Sequence, residues 1–245
     1  MPPRARPGLG RYEPPPDHRN HRPPISTRAP RERKGLRMHL HDMSWFDVAG
    51  YLEHDDRVVV PLGSLEQHAY LSLGVDNILS QRVAIDAAAP LGVPVMPGVN
   101  YGLTPYQTAW PGTITLRVAT YVALLTDLMD GLQRSGFRRI LFVNGHGSNA
   151  AARGLLQEWM MDHPGTTVRW HDWWSAPRTW AKVQAIDPVA SHASWMETFP
   201  WTRLDAKRPL PEGVKPMVDF DVLMSLSPDA VRTYLGDGNM GGAYQ

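Results

Sequence analysis

Among its 245 residues the chain has no cysteine. That rules out disulfides and thiolate metal sites, so any metal must be held by imidazole and carboxylate groups. No apolar run approaches the roughly 18 residues that a membrane helix needs, and no membrane partner is expected. The N-terminal stretch lacks the continuous apolar core of a secretory signal. A cytoplasmic location is the expectation. Charge of one sign is also lacking overall, with a formal net charge of +1.

That balance hides an asymmetry. Residues 1–37 hold nine arginines and one lysine against Glu13, Asp17 and Glu32, while the remainder is net acidic. The same stretch has nine prolines and few large apolar residues. It cannot bury enough surface to offset its ordering entropy and reads as a disordered Pro/Arg-rich extension, with Met38 a second candidate start. A basic pI resting on that tail is weak support for nucleic-acid binding, and none is expected. Residues 38–245 are expected to form the folded domain.

What is present is a repeated pattern. The apolar run Val58-Val59-Val60 leads into Pro61-Leu62-Gly63-Ser64-Leu65-Glu66-Gln67-His68, with Asp76 following. A second run, Ile140-Leu141-Phe142-Val143, leads into Asn144-Gly145-His146-Gly147-Ser148-Asn149. Two buried strands that deliver polar groups just past their C-terminal ends form the rim of an open α/β sheet. Carboxylate and imidazole in this density suit a borderline-hard divalent cation. Residues two apart in an extended segment point the same way, so Glu66 and His68 can share a site. Each also has an ordinary alternative: a salt bridge for Glu66, a polar contact for His68, a helix N-cap for Asp76. No Lys-Ser/Thr pair follows the glycines around His146, which argues against a phosphate loop. A third segment, Ser191-His192-Ala193-Ser194-Trp195-Met196-Glu197-Thr198, adds an imidazole and a carboxylate.

Periodicity predicts helices over 45–52 with Ser44 as N-cap, over 76–89, over 120–134 with Gly136 as C-cap, and over 149–162. Strands are expected at 57–62, 93–96, 138–143 and 167–170, and 97–113 reads as a long loop. Strands alternating with helices of this length predict a mostly parallel sheet covered on both faces. Tryptophans cluster late in the chain, as core, interface or pocket wall. The pocket candidates are Tyr70, Tyr106, Trp110, Ser148, Trp173 and Trp195.

Taken together, the Pro61–His68 segment, Asp76, Asn144 to Asn149 and His192-Ala193-x-x-x-Glu197-Thr198 resemble the creatininase (creatinine amidohydrolase) family. Tyr101-Gly102 and Pro111-Gly112-Thr113 resemble its middle loop. The resemblance implies a three-layer α/β/α sandwich and two divalent metal ions per subunit, usually zinc, with manganese or iron as alternatives. It implies a homo-oligomer, commonly a hexamer, and a small-molecule substrate with a C–N bond beside a carbonyl, attacked by a metal-bridging hydroxide. The same site used on another bond is the alternative: peptide trimming, deformylation or a polyol-ketone hydrolase. By this resemblance Glu66 and His146 hold one metal, His68 and Glu197 the other, and Asp76 bridges them, while His192 shuttles the proton. Three departures stand out. Ala69-Tyr70-Leu71-Ser72 replaces the family's Gly-Pro-His-Leu-Pro. Ser148 stands where creatinine hydrolases carry a glutamate, which moves the expected carboxylate ligand to Glu197. The closing helix expected after Gln245 does not follow. A catalytically silent metal-binding scaffold is the competing class, and it has no need of the group at His192.

Overall fold

A computed structural model of the chain describes residues 38–204 and 208–245; the extension expected over 1–37 lies outside the described residues. The first helix, α1 (Trp45–Leu52), begins at Ser44, whose side chain accepts from the Asp47 N–H while the Asp47 carboxylate accepts from the Ser44 N–H. Such a reciprocal cap satisfies two donors that the first turn leaves unpaired. β1 (Arg57–Leu62) follows, and α2 (Val75–Ala88) after it. Next come α3 (Val118–Ser135), ended by Gly136 at φ 112°, and β2 (Arg139–Asn144). α4 (Leu155–Asp162) and β3 (Thr167–Asp172) complete the regular part. The remainder is made of shorter pieces: α5 (Pro177–Ile186), β4 (Val214–Lys215), α6 (Phe220–Ser225), α7 (Pro228–Leu235) and β5 (Gly242–Ala243).

β1, β2 and β3 pair in parallel in that order. The segment expected as a strand at 93–96 lies on the other side of β1. It meets β1 through single parallel bridges, Val59 with Val95 and Leu62 with Val99, and Val95 also bridges His39. Pro94 and Pro97 explain this, because neither has an N–H to offer a ladder. Side chains alternate across the sheet. Val58, Val60, Leu62, Ile140, Phe142 and Val168 pack with Tyr51 of α1, Leu125 and Met129 of α3, and Trp159 of α4. Val59 and Val143 face the other way, onto Val75, Leu79, Ala84 and Ala88 of α2. The result is a three-layer α/β/α sandwich around a mostly parallel sheet. Each fully buried leucine or methionine contributes about 1.5–3 kcal/mol, so this packing outweighs any single cap.

Two expected helices shift. Asp76 does not cap α2; Gly74 holds that position, and Asp76 lies buried in the first turn. The helix expected from 149 starts at Leu155, after a 3₁₀ turn over Gly147–Ala152. Asn149 is the cause. Its side chain donates to the Gly63 and Asn144 oxygens and accepts from the Leu103 N–H, which competes with helix formation. The pairing of Leu62 with Asn144 sets the two strand ends side by side, so their loops emerge next to one another. Gly145 makes the junction possible, since a Cβ there would meet the Asp76 carbonyl oxygen at 2.4 Å.

Candidate metal centre

The loops after β1 and β2, the first turn of α2 and the 191–197 segment converge on one point. They bring together Glu66, His68, Asp76, His146, His192 and Glu197. Glu66, His68, Asp76 and His146 are each 3% exposed or less. Asp76 faces two imidazoles at once: Oδ1 lies 3.1 Å from His68 Nε2 and Oδ2 3.0 Å from His146 Nδ1. Glu66 Oε1 is 3.1 Å from His146 Nδ1 and 3.5 Å from His192 Nδ1. Glu197 Oε2 is 3.8 Å from His68 Nε2.

Each imidazole is oriented in the same way. His68 Nδ1 lies 3.2 Å from the Glu66 carbonyl oxygen, His146 Nε2 2.6 Å from that of Leu103, and His192 Nε2 2.9 Å from that of Gln67. A carbonyl only accepts, so each of these nitrogens carries the hydrogen. The other nitrogen of each ring then turns toward the carboxylates, which is how metal-binding histidines are commonly held.

Several ligand sets follow from this convergence. Glu66, Asp76 and His146 form one, His68, Asp76 and Glu197 a second, and Glu66, His68 and His192 a third; within each, the ligand atoms lie within 4.8 Å of one another. Asp76 belongs to the first two. Glu66 Oε1 and Asp76 Oδ2 are buried without a hydrogen bond. Buried carboxylate oxygens are expensive unless paired or bound to a cation. Donor type, spacing and these two oxygens together fit divalent ions.

Without a cation, the cluster shares protons among its own members. Burial alone would lower the pKa of His68, but Asp76 pushes it up to about 9. Burial likewise opposes the charged form of His146, and Glu66 and Asp76 overcome it, holding the imidazole well above its usual value. Burial works against Asp76 ionisation too, and His68 and His146 overcome that penalty and lower it. Glu66 is lowered despite burial by His146. Burial pushes Glu197 up to about 7, with His68 opposing. Burial, helped by His68, lowers His192 to about 4. Metal-binding imidazoles must be neutral, so the carboxylates that draw protons onto them are the groups a cation would engage instead.

The backbone is strained just after His68 and His192. Ala69 has φ 49° and Ala193 φ 60°, left-handed values that disfavour a side chain. The strain aims two N–H groups. Ala69 donates to Gln67 Oε1 and Ala193 to Glu197 Oε2.

The centre opens into a cavity of about 640 Å³. Tyr106, Trp174, Trp180, Met196, Met217 and Phe220 are among its walls, and among the described residues no lysine or arginine lines it. Of the pocket candidates, Tyr106 is there. Trp173 is instead buried against α2, Trp195 packs on Val183 and Met196 and donates to the Val189 carbonyl, and Trp110 packs beside Leu223 and Val231. Tyr70 meets Tyr244 edge-on, and Ser148 is not among the lining residues. Trp174 takes the place expected of Trp173. The two are adjacent, and only the local backbone decides which indole turns inward. Thr104 and Gln107, which contact Glu66, went unread in the loop over 97–113 because an isolated hydroxyl and amide carry no spacing signal. A second cavity of about 490 Å³ lies between α2 and the uncovered face of β2 and β3, and contains none of these groups.

No helix among the described residues is long and apolar enough to cross a membrane. The chain matches the family model described as creatinine amidohydrolase over residues 41–241. It is 33% identical over 116 residues to the creatinine amidohydrolase of Pseudomonas putida, covering 44% of this chain and 45% of that one. It is 38% identical over 112 residues to the mycofactocin precursor peptide peptidase of Mycolicibacterium smegmatis, covering 41% and 44%. The chain thus spans under half the length of these curated relatives. A solved mutant creatininase of the Zn-Zn type superimposes with a TM-score of 0.71 at 22% identity, over 86% of this chain and 90% of that one. With the family model matched across most of its length, the chain belongs to the creatininase family.

Proposed function

We propose that this protein is a metal-dependent hydrolase that cleaves a C–N bond beside a carbonyl in a small cyclic amide or related substrate. Its site would hold two divalent cations, zinc in the first instance. Glu66 and His146 would bind one, His68 and Glu197 the other, and Asp76 would bridge. The observation that carries this reading is Asp76, whose two oxygens face two imidazoles belonging to two different ligand triads. The zinc form of the superimposed creatininase and the activity named for the Pseudomonas putida relative support it.

Divalent cations in such a site polarise a carbonyl oxygen and make hydroxide available near neutral pH. The chain's own residues would do the rest. His192, with Nε2–H tied to the Gln67 carbonyl, presents a bare Nδ1 toward the centre, which can take a proton from the attacking water and pass it to the leaving nitrogen. Trp174, Trp180 and Phe220 would bound the substrate and exclude water from the site. Ser148, in place of a carboxylate, argues against creatinine itself as the preferred substrate.

The test is metal analysis of the purified protein, then a screen of cyclic ureides, lactams and formamides with the native metal restored. Turnover that is lost to chelator and regained with metal is the expected result. A protein that binds no divalent metal would refute the proposal. We also propose a homo-oligomer, a hexamer by family resemblance. Trp45 and Phe46, stacked at 3.7 Å and about two-thirds exposed, form an apolar patch that supports it. Light scattering should give a mass above the 27.4 kDa of one chain, and a monomer at micromolar concentration would contradict it.

A further inference from the structure

Glu66 uses its two oxygens differently. Oε1 is buried, carries no hydrogen bond and faces His146 and His192. Oε2 accepts from Thr104 Oγ1 at 2.5 Å and from Gln107 Nε2 at 3.1 Å. Thr104 and Gln107 are both fully buried, and both come from the loop over 97–113. Two neutral donors on one oxygen fix the carboxylate's rotation. They satisfy the oxygen that faces away from the centre and leave the other one bare.

The clamp does not end at Gln107. Gln107 Oε1 accepts from Gln67 Nε2, whose second hydrogen goes to the Gly238 carbonyl at 3.1 Å. The Ala69 N–H donates to Gln67 Oε1 at 2.9 Å, which fixes the orientation of that amide. Gln67 Nε2 also approaches His192 Nε2 at 3.1 Å, but both hydrogens of the amide are already placed and the His192 nitrogen donates to the Gln67 carbonyl. Gly238, at φ 101°, is what lets the backbone come this close, because a Cβ there would overlap Gln67 Oε1 at 1.8 Å. Every polar atom of the Gln67 amide therefore has a partner, and the chain of bonds runs from Glu66 to the segment before β5.

We propose that Thr104 and Gln107 are positioning residues that hold Glu66 as a one-oxygen ligand, and that Gln67 anchors Gln107 in that role. This rests on the metal-centre reading given above. Partners of this kind behind a metal ligand are typically worth about 10–100-fold in metal affinity. A packing role alone would lower stability and leave the affinity of the folded protein unchanged.

The experiment measures zinc affinity of the metal-stripped full chain by competition with a chromophoric chelator. It compares wild type with Thr104→Val, Thr104→Ser and Gln107→Leu, and records circular dichroism of each. The expected result is 10–100-fold weaker binding for Thr104→Val and Gln107→Leu, unchanged helical signal, and recovery to within about threefold in Thr104→Ser. Affinities within threefold of wild type in Thr104→Val and Gln107→Leu would overturn the clamp, as would a Thr104→Ser variant as weak as Thr104→Val. Should Thr104→Val fail to fold, Gln107→Leu decides alone by the same threshold. Wild-type protein that binds no zinc, manganese or iron would instead overturn the metal centre itself, so the two failures are distinct.

Discussion

At the scale of single residues, the centre is built by division of labour within each side chain. Every imidazole spends one nitrogen on a backbone carbonyl and offers the other. Glu66 spends one oxygen on Thr104 and Gln107, and Asp76 splits its pair between two histidines. The roles of the six differ accordingly. His192 is the one assigned to proton transfer, so His192→Ala should reduce kcat by about 10²–10⁴-fold, the usual worth of a general acid or base, while metal content measured by mass spectrometry stays at the wild-type level. Loss of metal in step with loss of activity would make His192 a ligand instead. Glu66, His68 and His146 stand out in the sequence because they follow apolar strands, whereas Asp76, His192 and Glu197 join them through the resemblance to a family pattern. Trp174 and Gln107 do neither, since no spacing distinguishes an inward indole from its neighbour or a clamping amide from any other loop glutamine.

At the scale of elements, the strand starts are pinned as firmly as the strand ends. Asp55 accepts from Arg57 Nε and Nη2 and from Arg139 Nη2, and so ties the start of β1 to the start of β2. Asp56 pairs with Arg139 as well, and its carbonyl receives the Arg138 and Arg139 N–H groups. Hydrogen bonding to Arg57 holds the Asp55 carboxyl well below its usual range. A group with a depressed folded pKa stabilises the fold above its unfolded value, about 3.9, and that stabilisation fades as pH falls through the folded one. Asp55→Asn should therefore cost about 1 kcal/mol or less at pH 7, because the arginines are partly exposed. Urea titrations at pH 7 and pH 3 should show that gap narrowing with acid. A gap that widened at pH 3 would contradict this reading of the corner. The long helix α3 is legible because its apolar residues are periodic, and β1 and β2 because their apolar runs are continuous. The segment at 93–99 and the start of α4 are not, since prolines in one and the Asn149 hydrogen bonds in the other override the local pattern.

At the scale of the whole molecule, a parallel sheet flanked by helices places two strand ends together, and the loops beyond them hold the chemistry. This much follows from β1 and β2 alone. The last third of the chain resists sequence reading for a physical reason. Its helix α6 is six residues long and its strands β4 and β5 two each, too short to show a period. Yet that third supplies His192 and Glu197, and with Met217 and Phe220 the far wall of the cavity. The centre is complete only when early and late segments are folded together, so cation binding should stabilise the whole chain. Calorimetric titration of the metal-stripped protein with zinc, set beside Asp76→Ala, tests this account most directly. Two equivalents per chain in the wild type, with less than one in Asp76→Ala, is the predicted result. No binding by the wild type, or two equivalents retained without Asp76, would contradict it.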